Sequence, residues 1–170
     1  MRLLKSIIKS DSFENTFKEE SDRLFQYASY RFAEIADAED AVHDLFLALS
    51  AKKETLRDVD NLRAYMFSSL INLCKERIRA KRQTISVTDF DELDIQALSP
   101  ANFDEEFRLI NLMLEHLPAE QNETIRLRLY AGLTFDEIGQ ITKVNTSTAK
   151  ARFRYGIEKL RNGLKRHNLL

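Results

Sequence analysis

The carboxyl-terminal part of the chain concentrates side chains that could bind phosphate. Residues 143–166 include eight Lys or Arg residues and one acid, Glu158. On a helix whose buried side is anchored at Ala149, the side facing away carries small or cationic residues: Ser147, Ala151 and Arg154, flanked by Lys150 and Arg152. Cations suit phosphates, and small residues let a helix approach base edges. The pattern predicts a helix that binds duplex DNA.

The residues before this basic helix predict a helix-turn-helix. Thr134 and Glu137 have the spacing of a capping box at the start of a short helix. A break at residues 142–145 then separates that helix from the basic one, as in proteins that place a second helix in the major groove. A plain helical hairpin with a solvated basic face would also explain the charges. Capping, turn length and charge placement together favour DNA binding.

A second candidate surface lies on a long helix in the first half of the chain. Its polar residues recur at i, i+4, i+7, i+11 and i+14, which places them on one face: Ser68, Asn72, Lys75, Arg79 and Arg82. Arg77 and Lys81 add further positive charge near its end. Asn72 could hydrogen-bond a base. A charged face in contact with water explains the same pattern equally well.

The composition and periodicity predict an all-α fold that positions these surfaces. The 170 residues include four Gly and two Pro, few helix breakers for a chain of this length. We expect a first helix at about residues 12–32 and a second that follows Asp37 as its N-cap. A third should run from just after Asp60 to about Gln83. Four shorter helices should follow from Phe103, with Pro118 at the first position of the second of them and Gly132 just beyond its end.

The charge distribution divides the chain. The net charge is −1, but residues 84–102 hold four acids and no base. This stretch also has no sustained helical period, so we interpret it as a linker. The predicted architecture is two small helical domains on an acidic linker: a three-helix bundle at 1–83, the linker at 84–102, and a four-helix domain with the helix-turn-helix at 103–170.

Several classes of function are not expected. The histidines His43, His116 and His167 lack the spacing of metal ligands, and the single cysteine, Cys74, excludes an intrachain disulfide. No glycine-rich phosphate loop, paired catalytic carboxylates or nucleophile motif occurs. We therefore expect no enzyme activity, cofactor, metal or small-molecule substrate. The interrupted N-terminal segment argues against a signal peptide or membrane insertion, so we expect a cytoplasmic protein.

Three segments resemble known proteins. Residues 37–50, DAEDAVHDLFLALS, resemble the polymerase-docking helix of region two in sigma factors. Residues 64–82, AYMFSSLINLCKERIRAKR, resemble the following helix, which reads the melted minus-ten promoter element. Residues 114–164 resemble region four, which binds the minus-thirty-five element, and include Thr148, Lys150 and Arg152 in a Thr-x-Lys-x-Arg pattern. A chain with regions two and four alone resembles the extracytoplasmic-function (ECF) sigma factors.

The resemblance implies an alternative sigma factor that binds core RNA polymerase and promoter DNA, with an anti-sigma factor as a further partner. Together with the helical faces, the resemblance gives the expected contacts. Those to the upstream element, of which Thr148, Lys150 and Arg152 match the family pattern, are Thr146, Ser147, Thr148, Lys150, Ala151, Arg152 and Arg154. Those to the downstream element, of which Asn72 matches the promoter-reading Asn of the family, are Ser68, Asn72, Lys75, Glu76 and Arg79. Those to polymerase, of which Asp40 and Asp44 match the acidic docking face of the family, are Asp37, Glu39, Asp40 and Asp44. The loop at residues 51–60 is where such proteins capture a flipped base.

Three residues depart from the family pattern. Glu76 stands where a neutral polar residue or Asp is usual, Gly139 replaces an Ala, and Ala149 replaces a Val. Glycine within a helix costs about 1 kcal/mol relative to Ala, so Gly139 should loosen the first helix of the helix-turn-helix.

Two other functions remain open at this point. A dedicated helix-turn-helix regulator would use the N-terminal bundle for dimerisation or sensing and would bind a palindromic site. A degenerate sigma-like decoy would sequester a protein partner without starting transcription. A sigma factor should instead bind polymerase as a monomer and bind duplex DNA poorly alone.

Overall fold

The computed structural model describes residues 2–32, 34–85 and 105–166, and its regular structure there is entirely α-helical, which confirms the predicted all-α class. The chain divides into two compact units. Unit 1 contains α1 (Arg2–Ser29), α2 (Ile35–Ser50), α3 (Lys53–Leu56) and α4 (Leu62–Ile85). Unit 2 contains α5 (Glu105–Glu115), α6 (Ala119–Leu129), α7 (Phe135–Thr142) and α8 (Thr146–Arg166).

The predicted linker falls almost wholly outside the described residues. Its first two positions are an exception, because α4 continues to Ile85 rather than ending near Gln83. The predicted domain limits at residues 83 and 103 therefore stay predictions.

Aromatic side chains join α1 to α2 in unit 1. The ring centroids of Phe13 and Phe17 lie 5.8 Å and 5.0 Å from that of Phe46 on α2. Tyr27, fully buried, meets Phe67 of α4 edge to face at 6.4 Å. Offset and edge-to-face pairs of this kind add to the stabilisation that comes from burying the rings. The aromatic cluster therefore fixes α1 against both helices that carry candidate functional residues.

A nearly buried carboxylate also ties α1 to α4. Glu20 is 8% exposed, and its Oε1 atom lies 3.0 Å from Nε of Arg63 on α4 and 3.4 Å from Nη1 of Arg23. A buried carboxylate needs such partners, because its desolvation otherwise costs several kcal/mol. The residue spacing gave no indication of this contact, which joins positions more than 40 residues apart.

Unit 1 differs from the sequence-based prediction in three places. The helix α1 begins at Arg2, about ten residues earlier than expected, and ends at Ser29. Asp37 is not an N-cap: α2 begins at Ile35, the cap position is Glu34, and Asp37 lies in the first turn, where its charge still suits the helix dipole. The expected loop at residues 51–60 contains the short helix α3, anchored by buried Leu56.

Unit 2 encloses a guanidinium in its core. Arg126 is 2% exposed, and it donates hydrogen bonds to Oδ1 of Asn122 and to Oε1 of Glu115, each at 2.6 Å. The core of unit 2 also contains aliphatic side chains that are at most 1% exposed: Leu114, Ile125, Leu127, Leu133, Ile138 and Ala149. A buried cation needs a negative partner close by. Because that partner is Glu115, the contact links α5 to α6.

Helix α6 has the expected signals at its ends, each shifted by one position. Pro118 occupies the N-cap rather than the first helical position, with φ −50° and ψ 138°. Gly132 has a φ of 63°, the left-handed conformation that a glycine adopts without strain, and it lies two residues after the C-cap Tyr130, one position later than predicted.

The expectation that Gly139 loosens α7 is wrong. A Cβ atom at this buried position would lie 2.8 Å from the carbonyl oxygen of Val144, in the turn that follows the helix. The same turn is fixed by a 3.0 Å hydrogen bond from the Val144 amide to the Gly139 carbonyl. The glycine is therefore what allows the backbone to come this close.

We expect Gly139→Ala to lower the free energy of unfolding of unit 2 by about 1–3 kcal/mol, as for overpacking of a tight site. Gly163→Ala is the matched control, since its added Cβ would meet the terminal methyl of Met113, the far end of a flexible side chain. That variant should stay within about 1 kcal/mol of wild type. Chemical denaturation of the full chain measures both, and an unchanged or raised stability of Gly139→Ala would contradict the packing argument.

Candidate nucleic-acid interface

The first helix of the predicted helix-turn-helix begins with the expected capping box. The amide of Thr134 donates to Oε2 of Glu137 at 2.8 Å, and the amide of Glu137 donates to Oγ1 of Thr134 at 3.2 Å. Two amides at the helix end thereby gain partners, which fixes the residue where α7 starts.

The turn between α7 and α8 is three residues long and has one left-handed residue. Lys143 adopts φ 57° and ψ 42° and ends α7. Asn145 then caps α8, because its Oδ1 atom accepts from the amide of Thr148 and the hydroxyl of Ser147, each at 2.7 Å. The direction in which α8 leaves the turn is set by these contacts and by the close approach at Gly139.

The predicted upstream-element residues lie in the first half of α8. Ser147, Lys150 and Arg154 are exposed, while the other members of the set are half-buried: Thr146, Thr148, Ala151 and Arg152. The hydroxyl of Thr146 donates to Asp136 at the start of α7. Arg154 lies 5.0 Å from the centroid of the Tyr155 ring, a stacked arrangement that holds its guanidinium on the exposed side.

Unit 1 has a groove of about 450 Å³ between the second half of α2 and the first half of α4. Its α4 wall recurs at i, i+4, i+7, i+8 and i+11: Tyr65, Ser69, Asn72, Leu73 and Glu76. Its other wall belongs to α2 and the residues just after it: Asp44, Leu45, Ala48, Leu49 and Lys52. The volume lies within the range of pockets that bind small organic groups.

The predicted downstream-element residues divide between this groove and the surface beside it. Asn72 and Glu76, both exposed, line the groove. Lys75 and Arg79, also exposed, and half-buried Ser68 are not among its lining residues. The predicted polar face and the groove wall are thus two adjacent stripes of one helix that share Asn72. Cations lie beside the groove, and a polar amide lies within it.

Some of the predicted polymerase-binding acids are paired within unit 1. Arg77 of α4 donates to the backbone oxygens of Asp37 and Asp40 at 3.4 Å and 3.5 Å and forms an ion pair with Asp44. The Nζ atom of Lys81 lies 3.0 Å from Oδ2 of Asp37. Arg77 and Lys81 were predicted to extend the DNA-binding charge of α4. In the structure they bind α2 instead.

The remaining acids of α2 face solvent. Glu39 and Asp40 are exposed, and their carboxylates form no ion pair within the described part of the chain. Leu47, two turns further along the helix, is 51% exposed. The surface defined by Glu39, Asp40 and Leu47, here called the α2 outer face, combines free negative charge with apolar area.

Sequence reasoning overlooked Tyr65, Lys52 and Leu47. Tyr65 lies seven residues before Asn72 and so shares its face of α4, a signal that was available in the sequence. Lys52 lies on a different segment, and only the packing of α2 on α4 brings it to the groove.

The described residues contain neither a candidate membrane span nor a candidate metal site. No helix among them is both long and apolar enough to cross a membrane. No group of three or more His, Cys, Asp or Glu residues in the same part of the chain could hold a metal ion.

Comparison with known proteins identifies both units. Residues 16–84 match the family model for sigma-70 region 2, and residues 113–162 match that for sigma-70 region 4. Together the two models cover more than two thirds of the chain.

Named relatives are similar at low identity. The "ECF RNA polymerase sigma factor SigE" of Mycolicibacterium smegmatis is 24% identical over 168 residues, which is 92% of this chain and 63% of that protein. The chain thus spans less than two thirds of that relative's length. The "RNA polymerase sigma factor SigV" of Bacillus subtilis is 25% identical over 133 residues, which is 78% of this chain and 79% of that protein.

Two solved structures share the fold. The sigma factor RpoE of Bartonella quintana, solved with the anti-sigma factor NepR, has a TM-score of 0.70 and 22% identity, covering 91% of this chain and 97% of that one. CnrH, solved with the cytosolic domain of CnrY, has a TM-score of 0.63 and 19% identity, covering 96% of each chain.

The pairing of Arg77 predicts that two neighbouring acids respond differently to charge reversal. Asp44→Lys removes an ion pair and places a cation beside Arg77, so we expect a loss of about 1 kcal/mol in the free energy of unfolding. Asp40→Lys leaves that pair intact and should stay within about 0.5 kcal/mol of wild type. Urea denaturation at low and high salt measures both, and the difference should shrink at high salt. Equal stabilities at low salt would contradict the assignment.

Proposed function

The chain belongs to the sigma-70 family, and on that premise we propose that it is an alternative sigma factor. In this role it binds core RNA polymerase, directs it to promoters and takes part in opening the DNA. Members of the family are regulators of transcription rather than enzymes. The observation that carries the proposal is the presence of both region 2 and region 4 in one chain, in that order.

We assign the upstream promoter element to α8. The exposed Lys150 and Arg154 suit phosphate or base contacts, while Ser147 and Ala151 are small enough to let the helix enter the major groove. The capped turn that precedes α8 supports this assignment, because a recognition helix must leave the turn in a fixed direction.

We assign the melted downstream element to the groove and to the cations beside it. Lys75 and Arg79 would contact the backbone of the single strand, and Asn72 would hydrogen-bond an unstacked base in the groove. Lys52 belongs to the segment that follows α2, where the family captures a flipped base, and it also lines the groove.

We assign core polymerase to the α2 outer face. Glu39 and Asp40 offer charge that no partner within the described residues neutralises, and Leu47 offers apolar surface between them and the end of the helix. Asp37 and Asp44, predicted for the same role, also form ion pairs with cations of α4, so part of their charge is neutralised within unit 1. An anti-sigma factor, like the NepR bound to the structural relative RpoE, is a further partner that we expect.

Transcription in vitro tests the proposal directly. The purified chain is added to bacterial core polymerase over a promoter library, and RNA that begins at defined positions is the expected result. Binding to core without any RNA would favour a decoy. A dimer that binds a palindromic duplex without core would favour a conventional regulator.

Charge reversal on the α2 outer face tests the docking assignment. The variant Glu39→Lys/Asp40→Lys should fail to capture core polymerase in a pull-down, while its thermal stability stays close to that of wild type. Asp22→Lys is the control, since this exposed acid lies on α1 away from the proposed surface. Undiminished capture by the double variant would place polymerase elsewhere.

Alanine substitution on α8 tests the upstream assignment. Arg154→Ala should weaken promoter binding by the holoenzyme by about 1–3 kcal/mol if its guanidinium reads a base. If it contacts phosphate, affinity should fall evenly across sequences and the salt dependence should become shallower. Lys165→Ala, an exposed cation near the far end of the same helix, should bind as wild type does. If both Arg154→Ala and Lys150→Ala bound the promoter with wild-type affinity, the assignment of α8 to DNA binding would be wrong.

A further inference from the structure

We propose that Glu76 makes the groove of unit 1 selective for guanine among unstacked bases. The inference rests on the proposed function, because it takes the groove to be the place where a melted promoter base is held. To that function it adds a preference for one base, which follows from Glu76, the acid on the α4 wall of the groove.

The geometry places a carboxylate where a base edge would lie. Glu76 lies four residues after Asn72 on α4, one turn along the same wall of the groove. Its side chain is exposed and forms no hydrogen bond or ion pair within the described residues. The other acid of the groove, Asp44, is occupied by Arg77. Glu76 is therefore the carboxylate of the groove that has no ion-pair partner among the described residues and can accept from a ligand.

The hydrogen-bonding pattern of a carboxylate separates the bases. An ionised carboxylate only accepts, and it does so with two oxygens side by side. Guanine presents two adjacent donors on its Watson–Crick edge, N1–H and the N2 amino group, so the match is bidentate. Adenine and cytosine offer one amino group beside a ring nitrogen that is itself an acceptor. Thymine flanks its single N–H with two carbonyl oxygens, which repel the carboxylate.

The other groove residues accommodate the same base. The amide of Asn72 can donate to O6 of guanine, and Tyr65, 40% exposed, offers a ring for stacking. Stacking does not distinguish the bases, so Tyr65 contributes affinity and Glu76 contributes the choice. Glu76 would repel phosphate, so the contacts to the phosphate backbone fall to the exposed cations Lys75 and Arg79 beside the groove.

The test uses holoenzyme, formed from the full chain and bacterial core polymerase, on a premelted promoter whose non-template strand is randomised. Sequencing of the bound DNA should show that guanine is enriched relative to thymine at one position. The enrichment expected for a good bidentate contact is about 5- to 150-fold. Glu76→Gln has nearly the same shape but carries an amide that also donates, so it should lose this preference and tolerate thymine. The preferences at other positions should not change.

Three further variants separate selection from general damage. Glu14→Gln, an exposed acid on α1 outside the groove, should retain the wild-type preference. Tyr65→Ala should lower binding of all four bases to a similar extent, whereas Tyr65→Phe should retain both binding and preference. Holoenzyme that starts RNA synthesis but shows no guanine preference, or a preference unchanged in Glu76→Gln, would overturn this inference and leave the proposed function intact. Failure to start RNA synthesis on any promoter would overturn both.

Discussion

The guanidinium of Arg77 determines how the functional surfaces of unit 1 are arranged. It donates to two backbone oxygens of α2 and pairs with Asp44, while Lys81, one turn further along, pairs with Asp37. The individual contacts are exposed and each contributes about 0–1 kcal/mol. Their main effect is geometric. Because they extend along two turns of each helix, they fix the angle at which α2 and α4 cross, on one side of the helix pair. The groove lies on that same side, and its width depends on that crossing.

In unit 2 the position of the functional helix is fixed by backbone geometry rather than by ion pairs. A recognition helix must project at a fixed angle, and the three-residue turn leaves little freedom for it to vary. Lys143 accepts a left-handed conformation, Asn145 caps the next helix, and Gly139 removes the Cβ that would push the turn away. A non-glycine residue in the left-handed region costs on the order of 1 kcal/mol or more, which the surrounding hydrogen bonds offset. The buried Arg126 serves the unit differently, since it positions α5 against α6 through Glu115.

The sequence predicted those features that depend on residues close together in the chain. The helical class, the capping box, the left-handed Gly132 and the exposed polar face of α4 all follow from local spacing. The errors arose where distant segments meet. The assignment of Asp37 as a cap failed because α2 begins two residues before it, at Ile35, which leaves Asp37 free to pair with Lys81, 44 residues away. Gly139 looked like a loss of helix stability because the helix alone was considered, whereas the close approach comes from the turn. The groove could not be foreseen as a whole, since half of it belongs to α2, although Asn72 and Glu76 were identified.

The pairing of opposite charges in unit 1 also explains how one small bundle can present two surfaces of opposite sign. If the four acids of α2 and the α4 cations Lys75, Arg77, Arg79 and Lys81 were all free, each helix would repel the ligand of the other: α2 would repel DNA, and α4 would repel a basic partner. The ion pairs of Asp37 and Asp44 with Lys81 and Arg77 neutralise the charges where the two helices meet. Free charge is left on the two outer sides, negative at Glu39 and Asp40 and positive at Lys75 and Arg79. Because exposed charges are screened beyond about 8 Å at physiological salt, a neutral strip between the two surfaces lets each act on its own ligand. On the proposed assignments, this separation allows core polymerase and promoter DNA to bind the same bundle at the same time, as promoter opening by a polymerase-bound factor requires.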